Sequence, residues 1–211
     1  MATETTTAAA NTPAPAVTAG GAEPEHVIPP TAIFVAERCY LRRWEDSDAE
    51  AQAEMVNDPE VVRYLRSRIP SPYALADAQE YIAYCKALPP PALSFGVFTL
   101  RGELAGSIGL EPPKGDRIYA GTRELGYLAS RKFWGRGIMT EAVRELTRWA
   151  FATVPDLLRI EAGVFEPNRA SQRVLEKAGF VREGKRRLAA VKNGEQMDEV
   201  VFGLIRTDIQ A

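Results

Sequence analysis

One stretch, Glu124 to Ala142 (ELGYLASRKFWGRGIMTEA), restricts what this chain can fold into more than any other. Arg123 to Ser130 has the alternation of a strand, and Phe133-Trp134-Gly135-Arg136-Gly137 then turns the chain directly into a helix. That helix, Ile138 to about Phe151, carries an apolar face of Ile138, Ala142, Leu146, Trp149 and Ala150, so the spacing predicts that it packs on a sheet. Glycines on both sides of Arg136 let successive backbone N–H groups point inward as an anion-binding nest. The helix adds its unpaired first-turn N–H groups and the positive end of its dipole. Arg131, Lys132 and Arg136 add charge to the same turn. The arrangement suits a phosphate. Two nucleotide motifs fail here. A P-loop needs Gly-Lys-Ser/Thr where Gly137 is followed by Ile138 and Met139, and a dinucleotide fingerprint needs a glycine where Thr140 stands.

Around this segment the chain alternates in type. Val35 to Trp44 reads as a first strand, and Asp46 or Ser47 caps a helix running through Met55. Asp58-Pro59 opens a short helical stretch through Leu65, and Ala74 to Leu88 has helical spacing that Pro89-Pro90-Pro91 ends. Ser94–Leu100 and Glu103–Leu110 form a hairpin across Arg101-Gly102, and Lys114-Gly115-Asp116 marks a loop. Leu158–Phe165 is a strand, Arg169–Ala178 a helix, and Phe180–Val191 with Glu195–Leu204 a closing pair that turns at Asn193-Gly194. Hairpins together with helices between strands predict a mixed sheet in an α/β or α+β domain.

Composition removes several kinds of chemistry. Residues 1–30 are rich in Ala, Thr and Pro and hold no Lys or Arg, which predicts a disordered tail ahead of one domain at 31–211. It has neither the basic start of a secretory signal nor the arginines of a presequence, so a cytoplasmic protein is expected. The only histidine, His26, falls in that tail, which argues against histidine-dependent nucleophiles and removes the commonest zinc ligand. No metal is expected. Lys and Arg total 26 against 28 Asp and Glu, which gives no electrostatic reason for a nucleic-acid or membrane partner. Cys39 and Cys85 lack a histidine partner and are expected as free, unreactive thiols.

Several ordered motifs resemble the GNAT N-acetyltransferase superfamily, and most closely its RimJ/RimL-type branch of ribosomal-protein alanine N-acetyltransferases. Tyr40-Leu41-Arg42-Arg43-Trp44 with Glu45-Asp46-Ser47-Asp48-Ala49 is similar to that branch's opening strand and helix start. Glu124-Leu125-Gly126-Tyr127 precedes the loop Trp134-Gly135-Arg136-Gly137, and Thr140-Glu141-Ala142 follows it. Asn168-Arg169-Ala170-Ser171, Leu175-Glu176-Lys177-Ala178-Gly179-Phe180 and Glu183-Gly184 complete the series over roughly residues 36–206. The resemblance implies a GNAT fold, a central and mostly antiparallel sheet flanked by helices, whose fourth and fifth strands splay apart. It implies acetyl-CoA as acyl donor and a primary amine, either a peptide N-terminus or a small molecule, as acceptor; a homodimer stays open.

The resemblance also carries roles to individual positions. Trp134, Gly135, Arg136, Gly137, Ile138 and Met139 form the pyrophosphate loop, with Trp134 and Met139 departing from the usual Gln/Arg and Gly/Ala. Backbone groups of Leu128 and Ala129 hold the pantetheine, and Asn168 lies near it. The family's Asn-x-x-Ser pattern implies that Ser171 sits near the thiol as an acid or hydrogen-bond donor, and Leu175 stands where many members carry a tyrosine acid. In RimL-like members a glutamate base falls where this chain has Ala190; from their own place on the strand before the loop, Glu124 is the candidate base and the Tyr127 hydroxyl the candidate lining of the acceptor channel. Two alternatives stay open: a catalytically silent acyl-CoA-binding module, and a transferase of another acyl group.

Overall fold

The computed structural model describes residues 28–89, 91, 93–112 and 116–209. The expected tail, apart from residues 28–30, lies outside the described residues together with His26, as do Pro90, Lys114 and Gly115. Among the described residues, eight strands and five α-helices follow in chain order: β1 (Ala32–Val35), β2 (Cys39–Arg42), α1 (Ala49–Val56), α2 (Pro59–Val62), α3 (Leu75–Ala87), β3 (Ser94–Thr99), β4 (Leu104–Glu111), β5 (Thr122–Ala129), α4 (Ile138–Thr153), β6 (Arg159–Phe165), α5 (Arg169–Ala178), β7 (Val181–Lys192) and β8 (Glu195–Ile205). They form one sheet in the order β1-β2-β3-β4-β5-β6-β8-β7. Every neighbouring pair is antiparallel except β5 and β6.

The β5/β6 pair is where the sheet opens. Its register runs only from Thr122↔Arg159 to Glu124↔Glu161, although β5 continues to Ala129 and β6 to Phe165. Beyond Glu124 each strand is held on its outer side alone, β5 by β4 and β6 by β8. The split expected between the fourth and fifth strands is thus present. It falls at β5 and β6 because the first predicted strand is two.

Val35 to Trp44 is not a single strand. The chain turns at Ala36–Arg38, where the N–H groups of Glu37 and Arg38 donate to the Glu141 carboxylate of α4 at 3.1 and 2.8 Å. The predicted helix from Asp46 likewise starts later, because residues 46–48 form one tight 3₁₀ turn before α1. The Arg42 guanidinium grips Asp48 through two 2.7 Å bonds in a nearly dry setting and lies 4.0 Å from the Phe98 ring centre. Of the predicted helical stretch from Pro59 to Leu65, only Pro59–Val62 is helix.

Core packing sorts β5 by face. Leu125, Tyr127 and Ala129 pack with Leu146, Val143 and Leu175 under α4 and α5, while Leu128 packs with Trp44, Met55 and Ile82 under α1 and α3. This is the period-two alternation of a strand buried on both sides. Among the described residues, no helix is long and apolar enough to cross a membrane.

Candidate active site

The turn after β5 has the backbone that its glycines predicted. Gly135 and Gly137 sit at φ 75° and 78°, in the left-handed region, and Gly137 is the N-cap of α4 with no side chain capping the helix. A Cβ built on Gly135 meets nothing within 4 Å, and one on Gly137 meets only the Arg38 side chain at 3.8 Å. Ile138 and Met139 turn their side chains into the core, with Met139 set against Gly106 of β4. What this turn offers to solvent is therefore backbone N–H, the geometry of an anion nest. Arg131 and Lys132 face Asp58 and Glu54 at 3.8 and 2.7 Å. Arg136 has no carboxylate within 4 Å among the described residues and lies over the Phe133 ring.

The direction of the backbone along β5 follows from two hydrogen bonds. Ser130 N–H donates to Ala105 of β4, and Gly121 C=O accepts from Leu158 and Arg159 at the start of β6. By strand alternation, even-numbered residues then face β4 and odd-numbered ones face the split. Tyr127 and Ala129 therefore direct their N–H groups into the opening. Leu128 directs its own to β4, opposite Ser107. Of the expected Leu128–Ala129 pair, Ala129 thus presents its backbone to the split, whereas Leu128 presents its own to β4. The indole Nε1 of Trp134 takes the Ala129 carbonyl at 2.9 Å, which leaves the Ala129 N–H as the open group.

Across the split, Asn168 caps α5 by accepting from the Ser171 N–H at 3.1 Å. Asn168→Ala should lower stability by about 1 kcal/mol, readable as a lower Tm, because the first-turn donor loses its partner. The Tyr127 hydroxyl reaches over to α5, 3.1 Å from the Ser171 carbonyl, to which it donates, and 2.8 Å from the Ser171 Oγ. Burial pushes the Tyr127 hydroxyl well above its ordinary pKa, only partly offset by the Ser171 hydrogen bond, so it stays protonated at neutral pH. Leu175, one turn further along α5, is fully buried in the core.

Glu124 lies on the opposite face of the sheet from Tyr127, at the last paired position before the split. Its carboxylate is held by Arg66, from the segment that joins α2 to α3. The same segment is fixed twice more: Arg68 binds Glu111 of β4 at 2.6 Å, and Lys192 of β7 donates to the Val62 and Leu65 carbonyls. Burial lowers the pKa of the Lys192 ammonium. Between this segment and the β7–β8 turn is a cavity of about 230 Å³, lined by Arg63, Tyr64, Pro167, Lys192, Asn193, Glu195 and Met197.

Sequence reasoning missed Arg38 beside Gly137 and Arg66 on Glu124. Neither belongs to a local motif; each arrives by a contact far along the chain. The two thiols are free and buried, and burial, with Glu141 adding to it, pushes Cys39 up to about 12. Among the described residues, no group of His, Cys, Asp or Glu is arranged to hold a metal.

Residues 38–181 match the family pattern described as Acetyltransferase (GNAT) domain. The probable N-acetyltransferase YjcK of Bacillus subtilis is 41% identical over 118 residues, 54% of this chain and 62% of that protein, so the match spans under two thirds of its length. The uncharacterized N-acetyltransferase p20 of Bacillus licheniformis is 29% identical over 82% of this chain and 95% of its own. Among solved structures, the ribosomal-protein acetyltransferase RimL in complex with coenzyme A shares the fold, with a TM-score of 0.69 and 22% identity over 82% of this chain and 97% of its own.

Proposed function

Because this chain belongs to the GNAT acetyltransferase family, we propose that a single domain at 31–211 transfers the acetyl group of acetyl-CoA directly to a primary amine. The observation that carries the reading is the glycine nest at Gly135 and Gly137, opening beside a split whose β5 edge has unpaired N–H groups. The open space over Gly135 and the uncapped α4 terminus suit a pyrophosphate, and an extended pantetheine suits the β5 edge. RimL, which shares the fold, was solved with coenzyme A. Bound there, acetyl-CoA supplies an activated acetyl thioester.

The nest from Trp134 to Met139 holds the diphosphate through backbone N–H, and Arg136 adds charge. Tyr127 and Ala129 pair with the pantetheine, and a β5 N–H polarises the thioester carbonyl. Asn168 fixes the start of α5 and with it Ser171. Glu124 accepts the proton that an ammonium must lose before it can attack. The neutral amine forms the C–N bond, the C–S bond breaks, the Ser171 hydroxyl protonates the departing sulfur, and the proton shed by the new amide nitrogen returns to the Ser171 oxygen through solvent. Tyr127, neutral and bound to the Ser171 carbonyl, orients that hydroxyl. Ser171→Ala should lower kcat by ~10²-fold or less with little change in KM for acetyl-CoA, measured in steady state, because a thiolate leaves without much help.

An α-amino group has a pKa of about 7.7–8.0 and a lysine about 10.4, so an N-terminal acceptor asks less of a carboxylate base. Peptide N-termini are accordingly the favoured acceptors. CoA release with short peptides should exceed release with polyamines and aminoglycosides at pH 7. Tight acetyl-CoA binding with no release for any amine would replace the enzyme with a binding module.

A further inference from the structure

We propose that Arg66 occupies the place of the acceptor's ammonium, so that the acceptor docks as a cation by displacing a guanidinium from Glu124. The inference rests on the reading of Glu124 as the base and deepens it. The Arg66 guanidinium binds the Glu124 carboxylate across 58 residues of sequence, and that carboxylate lies at the apex of the split, on the face away from Tyr127 and Ser171. Its side chain is 29% exposed, so a cation from solvent can reach it once the guanidinium withdraws. Gly126, next on the same face of β5, leaves open space where a side chain would stand, since a Cβ built there meets nothing within 4 Å.

The segment bearing Arg66 has independent anchors, so losing this one contact does not release it. Arg68 still holds Glu111, and Lys192 still holds the Val62 and Leu65 carbonyls. Arg66 itself is 47% exposed at the side chain and has room to swing outward. A carboxylate at the head of an acceptor site is thereby kept paired until an amine arrives. The acceptor class that follows is a primary amine carrying its proton on arrival. A site filled by a competing group binds its ligand more weakly by the fraction of time it is free.

Steady-state CoA release with ethylamine as the acceptor at pH 7 tests this. Arg66→Gln should lower the KM for ethylamine about three- to tenfold, because Glu124 is then unoccupied, with KM for acetyl-CoA unchanged. Arg66→Lys, which restores a competing cation, should stay near wild type. A second arm needs no turnover: saturation-transfer NMR should detect methylguanidinium on the CoA complex of Arg66→Gln, but not on wild type or on Arg66→Gln/Glu124→Gln. If ethylamine is not turned over, this arm decides. A raised KM for ethylamine in a folded Arg66→Gln protein would overturn the proposal in favour of a structural tie, as would equal methylguanidinium binding to all three proteins. Failure of the acetyl-transfer reading looks different: no amine elicits CoA release from the wild type.

Discussion

Gly137→Asp is expected to weaken acetyl-CoA binding by roughly 100-fold or more, a loss of about 2.7 kcal/mol, while the protein still folds. Gly137 is the N-cap of α4 at φ 78°, and no side chain occupies the helix terminus. Aspartate tolerates the left-handed region better than most residues and is a favoured N-cap, so the backbone strain is partly offset by a new cap. That same carboxylate then accepts from the first-turn N–H groups that a diphosphate needs. It also sets a negative charge within a few ångströms of another. Calorimetric titration measures the affinity and a melting curve verifies the fold. Unchanged affinity in a folded protein would place the diphosphate elsewhere.

Glu124→Gln is expected to cut kcat/KM by about 10²–10⁴-fold at a pH below the acceptor's pKa, the usual size of a general-base effect. Glutamine keeps the shape and can still accept a hydrogen bond from Arg66, so the loss reports the carboxylate charge and not the packing. The sign of the pH dependence follows from the amine. Below its pKa it arrives as an ammonium and needs a base; above it the lone pair is already free. The mutant should therefore recover part of its activity as pH rises past about 8 for an α-amino acceptor. A pH–rate profile of both proteins measures this. Equal loss at every pH would assign Glu124 to positioning alone.

What the sequence could say about the fold was governed by distance along the chain. The glycine turn, the helix it opens and the hairpin at Asn193-Gly194 are local. Gly135, Gly137, Asn193 and Gly194 all sit at positive φ in the structure. The break of the first strand into β1 and β2 was not legible, since the acceptor for its turn, Glu141, lies about a hundred positions away. The family resemblance implies Leu128 and Ala129 together as the backbone that holds the pantetheine. Which of them faces the split depends on which strand lies on which side of β5, and side-chain pattern alone does not carry that. The same holds for the two faces of the site. Glu124 and Tyr127 are three apart on one strand and so must point to opposite faces, yet only the placement of α5 over one and Arg66 over the other gives those faces their meaning.

The most direct measurement mixes the protein with acetyl-CoA in the presence and absence of a primary amine, and quantifies CoA thiol and acetylated amine in the same samples. Direct transfer predicts equal amounts of the two products with amine, and almost no thiol without it. Thiol released at the same rate in both samples, or an acetylated protein formed before the amine is added, would contradict it.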